Sequence, residues 1–229
     1  MELRSPHDVF VVIAAYNEAR VIARVIADVG SAGHRVIVVD DGSRDGTGDV
    51  AAAAGATVIR HPVNLGQGAA LQTGIDFALA QGAEIIVTFD ADGQHRASDI
   101  AALTGALTRH GADFALGSRF LGGCVDLPAS RRALLRAATW FTRMTTGLAV
   151  TDSHNGLRAM TRRGASRIQL RQNRMAHASE ILHQVAGSGL KYVEAPVTIH
   201  YSAYSLAKGQ SAFDAIMIVL DLFARRLYR

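Results

Sequence analysis

The sequence is poor in several features, and each shortage narrows what the chain can be. It has one cysteine, Cys124, so no intramolecular disulfide framework can form and a reducing compartment fits. Four prolines and a mean hydropathy of +0.15 argue against a disordered chain. No run of about 18 apolar residues occurs, so no membrane span is predicted. The polar opening Met1–Asp8 precedes an apolar run too short for a secretory leader. No helix-turn-helix or zinc signature accompanies the net charge of +4, so nucleic acid is not an expected partner. Acids are missing locally too. Leu127–Thr151 holds four arginines and no acid, and Ala224–Arg229 three arginines and none. Such a basic excess suits a phosphorylated ligand or an anionic lipid surface.

With 229 residues, 49% of them hydrophobic, the chain can bury one sizeable core, and residues 1–229 are read as one domain. Apolar runs at Val9–Ala15, Arg35–Val39, Thr57–Arg60, Glu84–Phe89 and Asp113–Leu116 read as strands. Between them, Val21, Ile22, Val25, Ile26 and Val29 recur at helical spacing, as do residues of Thr47–Gly55, Gly68–Ala80 and Ser98–Arg109. This alternation predicts an α/β fold with a mostly parallel, Rossmann-like sheet flanked by helices. Ligands of such sheets bind beyond the carboxyl ends of the strands. The polar clusters fall there: Tyr16–Glu18, Asp40–Ser43, Asn64–Gly68, Asp90–His95 and Gly117–Arg119. After Phe120 the pattern changes. Gly122 and Gly123 read as a loop and Arg131–Gly147 as a helix. On that helix Arg132, Arg136 and Arg143 share one side, with Leu134, Trp140, Phe141 and Met144 assigned to the other.

Asp90-Ala91-Asp92 ends the fourth strand. Two carboxylates one residue apart at a strand end can hold Mg²⁺ or Mn²⁺, which prefer oxygen ligands and are often shared with substrate phosphates. Gln94 offers another oxygen nearby. Asp40 and Asp41 end the second strand, where a carboxylate can accept from a base N–H or a ribose hydroxyl. A turn before the next helix accounts for Gly42 and Ser43, but not for two acids closing an apolar strand. Gly66-Gln67-Gly68 is not a dinucleotide fingerprint: Leu71 stands where a third glycine belongs, and the motif follows the third strand. A glycine-rich helix start can still approach a phosphate.

Tyr16-Asn17-Glu18, Val39-Asp40-Asp41-Gly42-Ser43, Asp45-Gly46-Thr47, Asn64-x-Gly66-x-Gly68, Asp90-Ala91-Asp92-Gly93-Gln94-His95 and Gly117-Ser118-Arg119 occur in this order. The series resembles family 2 inverting glycosyltransferases of the GT-A fold, and among them the polyprenyl-phosphate (dolichyl-phosphate) mannosyl- and glucosyltransferases. The resemblance implies a nucleotide-sugar-binding half over 1–120 and an acceptor-side, membrane-facing half over 121–229. It implies that Ala14, Tyr16, Glu18, Asp41, Asp90, Ala91 and Asp92 line the nucleotide-sugar site. It implies that Asp92 and Gln94 hold Mg²⁺ or Mn²⁺, and that Arg119 lies near the sugar or phosphates. Asp152-x-x-x-Gly156-x-Arg158 resembles a segment of the acceptor side, and Glu180 a later acidic helix residue. The chain departs from the family in carrying Ala14 for a proline and Gln67 for a lysine. It also has "YSAYSLAKGQS" over Tyr201–Ser211, where an arginine is usual and where Ser205 and Lys208 are the candidates to meet a phosphate.

The expected activity is transfer of a hexose from a nucleotide-diphosphate sugar, of GDP-mannose or UDP-glucose type, to a polyprenyl phosphate. A phosphate acceptor needs cations rather than a base, because its second pKa is near 6. Arg119, Arg158 and Lys208 are the candidates. Transfer to a carbohydrate hydroxyl stays open at this point and would need a base such as Asp152. Binding of a nucleotide sugar without turnover also stays open. The expected location is the cytoplasmic, inner face of a membrane, with the arginine-bearing helix on the lipid surface. The apolar stretch Phe213–Leu222, read as a C-terminal helix, suits lipid, a membrane-protein partner or a second copy in a homodimer.

Overall fold

The computed structural model describes residues 9–125, 129–172 and 176–200. Among the described residues seven strands form one sheet: β1 Val9–Ala15, β2 Arg35–Asp40, β3 Thr57–Arg60, β4 Ile85–Asp90, β5 Phe114–Val125, β6 Arg158–Thr161 and β7 Tyr192–His200. Their order across the sheet is β3-β2-β1-β4-β6-β5-β7. Every pairing is parallel except those of β6, which runs against both β4 and β5.

The helices are α1 Ile22–Ser31, α2 Thr47–Ala53, α3 Gln67–Ala80, α4 Asp99–His110, α5 Ala129–Thr146, α6 Arg162–Ala165 and α7 Ala176–Gly187. Side chains of β1 alternate between the two faces, as a pleated strand requires. Val9, Val11, Ile13 and Ala15 join the core beneath α1, α2 and α4, whereas Phe10 and Val12 join the one beneath α3, α6 and α7. Burial on both faces is why β1 and β4 read as continuous apolar runs instead of alternating ones. Among the described residues no helix is long and apolar enough to cross a membrane.

Three features differ from the sequence-based expectation. The Gly122–Gly123 loop is strand: β5 resumes its pairing with β7 at Gly123↔Thr198 after an irregularity beyond Ser118. Gly122 lies so close to the Val197 backbone that a side chain would overlap it. The short β6 and the edge strand β7 went unpredicted, because four apolar-to-polar residues and a Pro-containing run carry little periodicity. On α5, Trp140 and Met144 do not lie opposite the arginines. They are 63% and 65% exposed, and Arg132, Arg136 and Arg143 are exposed beside them. Thr139 and Thr142 are buried instead. Leu134 and Phe141 are half-buried, as the wheel anticipated.

Candidate active site

From β1 the chain leaves to β2 on one side, and β4 joins on the other. This reversal places a crevice beyond the carboxyl ends of β1 and β4, the usual ligand position of an open α/β sheet. The loop after β1 and the loop after β2 are bonded together at this edge. Asn17 N–H donates to Ser43 Oγ at 2.9 Å, Arg44 N–H to Asn17 Oδ1 at 3.0 Å and Glu18 N–H to Thr47 Oγ1 at 2.8 Å. Tyr16 is exposed and Glu18 buried.

The paired acids at the end of β2 face different neighbours, as strand alternation dictates. Asp40 Oδ1 accepts from Ser43 N–H at 3.0 Å. Asp41 is buried and organises the Asn64–Gly68 turn. It accepts from Leu65 N–H at 2.9 Å and Gly66 N–H at 2.7 Å, and its Oδ1 lies 2.7 Å from His61 Nδ1. Three of about four carboxylate lone-pair sites are thereby occupied, which leaves roughly one for a ligand. His61 was not anticipated, since nothing in its local sequence distinguishes it.

Asp90 ends β4, opposite Ala14 of β1. Its Oδ2 lies 2.9 Å from His95 Nε2, and Gln67 Nε2 lies 3.4 Å from Oδ1. Gly156 presses against this carboxylate so closely that any side chain there would overlap it. The approach is fixed by Thr88 Oγ1, which donates to Gly156 O at 2.7 Å. Burial pushes the Asp90 carboxyl up, but the His95 hydrogen bond and the charges of His95, Arg158 and His177 outweigh it and hold Asp90 below the usual carboxylate range. Asp92 goes the other way, to about 6, through burial first and then the negative charge of Asp90. Its Oδ1 accepts from Gln94 N–H at 3.0 Å. Glu18 adds further repulsion.

A carboxylate crowded by two others fits a place where a cation belongs. Among the described residues no three His, Cys, Asp or Glu side chains form a metal cage. Two carboxylates with open positions suit Mg²⁺ or Mn²⁺, which leave sites for water and phosphate. Folded Asp92 holds its proton more tightly than the unfolded chain does, so metal-free protein loses stability as the pH rises from about 4 through about 6. A divalent cation pairs only with the ionised form. Mn²⁺ is therefore expected to raise Tm more at about pH 7.5 than at about pH 5. Equal shifts at both pH values would contradict this placement of the cation.

Arg119 and Asp152 form a buried pair. Asp152 Oδ2 accepts from Arg119 Nε at 2.6 Å and from Arg119 N–H at 3.1 Å, while Oδ1 accepts from His154 N–H at 3.2 Å. Arg119 Nη2 also donates to His154 O at 2.9 Å. Burial, aided by the charges of Arg119 and Arg158, pushes His154 down to about 4 against the pull of Asp152. The imidazole is thus neutral at physiological pH. Arg158 enters from β6, between Thr88 of β4 and Leu116 of β5. It is 4% exposed, with Asp90 and Asp152 near enough for their charges to act on it. Burial lowers it to about 10 although Asp90 and Asp152 both favour its charged form, so it stays a cation at neutral pH.

Glu180, on α7, holds the loop that precedes that helix. Its two oxygens accept from Arg171 and Gln172 N–H at 2.9–3.1 Å. That loop packs on the start of α3, where Gly68 meets Gln172 O too closely for a side chain. Ser205, Lys208 and the C-terminal stretch Phe213–Leu222 lie outside the described residues.

Residues 10–168 match the family model described as Glycosyl transferase family 2. The chain is 31% identical over 234 residues to a polyprenol monophosphomannose synthase of Mycolicibacterium smegmatis, covering 96% of this chain and 88% of that one. It is 30% identical over 241 residues to a UDP-N-acetylglucosamine–dolichyl-phosphate N-acetylglucosaminyltransferase of Methanococcus voltae, covering 96% and 94%. A crystal structure of glucosyl-3-phosphoglycerate synthase from Mycobacterium tuberculosis, in complex with Mn²⁺, UDP-glucose and phosphoglyceric acid, superposes with a TM-score of 0.71. At 22% identity, over 95% of this chain and 79% of that one, this likeness concerns the fold, which is GT-A. With acidic strand ends gathered at the switch point of such a sheet, and a family match across most of its length, the chain belongs to glycosyl transferase family 2.

Proposed function

We propose that this protein transfers a hexose, with inversion, from a nucleotide-diphosphate sugar to a polyprenyl phosphate at a membrane surface. Arg158 carries the reading. A guanidinium held almost wholly out of water is costly to keep charged, and an anionic ligand would offset that cost. Asp90 and Asp152 lie near it and favour its charged form. A phosphate brought against Asp90 from the crevice would meet this cation. Similarity to a dolichyl-phosphate N-acetylglucosaminyltransferase and to a polyprenol monophosphomannose synthase supports that choice of acceptor.

In this reading Tyr16, Glu18, Ala14 and the remaining lone pair of Asp41 receive the nucleoside. Asp90 and Ala91 meet the ribose and diphosphate, and Asp92 with Gln94 holds Mg²⁺ or Mn²⁺. When bound, the ion neutralises charge developing on the leaving diphosphate. Asp152 is poorly placed as a base, since both its oxygens already accept hydrogen bonds. A phosphate nucleophile does not require one. Arg119, locked to Asp152, acts by holding the turn that borders Arg158. Lys208 and Ser205 are the further candidates for the acceptor phosphate. A panel of nucleotide sugars with Mn²⁺ tests the donor half. One member is expected to raise Tm well above the rest, and no protection by any of them would refute it.

Membrane docking is assigned to α5. Its exposed face combines Arg132, Arg136 and Arg143 with Trp140 and Met144, so cations for anionic headgroups lie beside apolar side chains that can enter the interface. Each arginine contributes about 1 kcal/mol near an anionic leaflet. Trp140 is the chain's one tryptophan, which makes its fluorescence specific to this face. Anionic vesicles are expected to shift its emission to the blue and to pellet the protein at low salt more than at high salt. Negligible pelleting at both salt concentrations would rule the docking out.

A further inference from the structure

We infer that Glu194 of β7 is a positioning residue for the Arg119–Asp152 turn, an inference that rests on reading that turn as the acceptor side. Glu194 lies opposite Leu116 in the β5–β7 pairing, one strand away from Arg158. One of its oxygens, Oε1, accepts from Thr151 N–H at 2.7 Å, Thr151 Oγ1 at 3.0 Å and Asp152 N–H at 3.3 Å. An ionised carboxylate only accepts, so the Thr151 hydroxyl proton points to Glu194. Thr151 Oγ1 is also 2.6 Å from Ser118 Oγ. Having spent its one proton, Thr151 can only accept there, so Ser118 is the donor. Ser118 Oγ in turn accepts from Phe120 N–H at 3.3 Å.

The result is a one-way chain, from Phe120 N–H through Ser118 and Thr151 to Glu194. It grips the backbone on both sides of Arg119 and the backbone of Asp152 itself. Arg119 N–H and Nε are thereby aimed at the same Asp152 oxygen. The same strand ends at His200, whose N–H donates to Gln94 O at 3.0 Å. Thus β7 braces the acceptor-side turn at one point and the carboxylate loop of β4 at another. Glu194 touches neither sugar nor phosphate in this account. It acts through the turn it holds.

Amide hydrogen exchange on wild type and Glu194→Gln needs no substrate and comes first. A neutral amide keeps the shape but loses charge-assisted acceptance. Exchange at Thr151, Asp152 and Arg119 is expected to quicken about tenfold, with β1 and β4 amides unchanged. In hexose transfer to undecaprenyl phosphate, kcat is expected to fall about tenfold, with donor KM and Tm preserved. Thr151→Val, which removes the hydroxyl link and keeps the backbone bonds, should reproduce part of the fall, and the double variant should add little. Unchanged exchange overturns the inference. So does a joint loss of Tm and nucleotide affinity, the mark of a merely structural role. If wild type binds nucleotide sugar but leaves the lipid phosphate untouched, the acceptor reading fails, and exchange still decides the role of Glu194.

Discussion

Asp92→Asn is expected to cut sugar transfer by roughly three orders of magnitude while the protein keeps its fold. The side chain stands in the loop after β4, outside both hydrophobic cores. One oxygen accepts a single backbone hydrogen bond, which an asparagine carbonyl can also accept. The fold therefore loses little. It even sheds a repulsion, because burial and Asp90 disfavour the ionised carboxylate. What asparagine cannot supply is the charge that holds a divalent cation against a diphosphate. Several kcal/mol of charge stabilisation would go with it, and each 1.36 kcal/mol is about tenfold in rate. Tm in the absence of metal should stay level or rise slightly at neutral pH, and the Mn²⁺-dependent increment should vanish. Transfer at the wild-type rate by the variant, or by wild type in excess chelator, would refute the assignment.

Arg158→Met is expected to lower transfer to a polyprenyl phosphate about a hundredfold or more, with nucleotide binding retained. Methionine keeps much of the volume inside β6, and removing a buried cation spares its desolvation cost. The loss should therefore appear in catalysis or acceptor KM before it appears in Tm. Asp152→Asn should behave differently. It breaks a buried pair with Arg119, a change that costs about 3–5 kcal/mol when one partner is left uncompensated. Its pH profile should lack any limb that disappears with the substitution, since Asp152 works by position and not as a base. The acceptor is decided by offering undecaprenyl phosphate and undecaprenol separately with the same donor. Transfer to the free alcohol at a comparable rate would overturn the phosphate reading and return Asp152, or another group, to the part of base.

The sequence by itself determined the parallel strands and the acidic strand ends beside the crevice. The strands β1, β2 and β4 are short apolar runs buried on both faces, so their ends show as abrupt changes from apolar to acidic residues. Local chemistry and local structure coincide there, which is why Tyr16–Glu18, Asp40–Asp41 and Asp90–Asp92 read as one cluster from sequence alone. The tertiary structure decided the rest, because it depends on contacts between residues far apart in the chain. Whether Asp41 faces ligand or protein is settled by the Leu65 and Gly66 amides more than 20 residues away. Whether Asp152 is a free base is settled by Arg119, 33 residues earlier. The burial of Arg158 exists only because β6 is inserted antiparallel between β4 and β5. On α5 a helical wheel gives angles but not which arc the neighbouring elements cover. Trp140 stands 80° from Arg132 at 100° per residue, near enough to fall on either side of the boundary, and only packing put it in solvent beside the arginines.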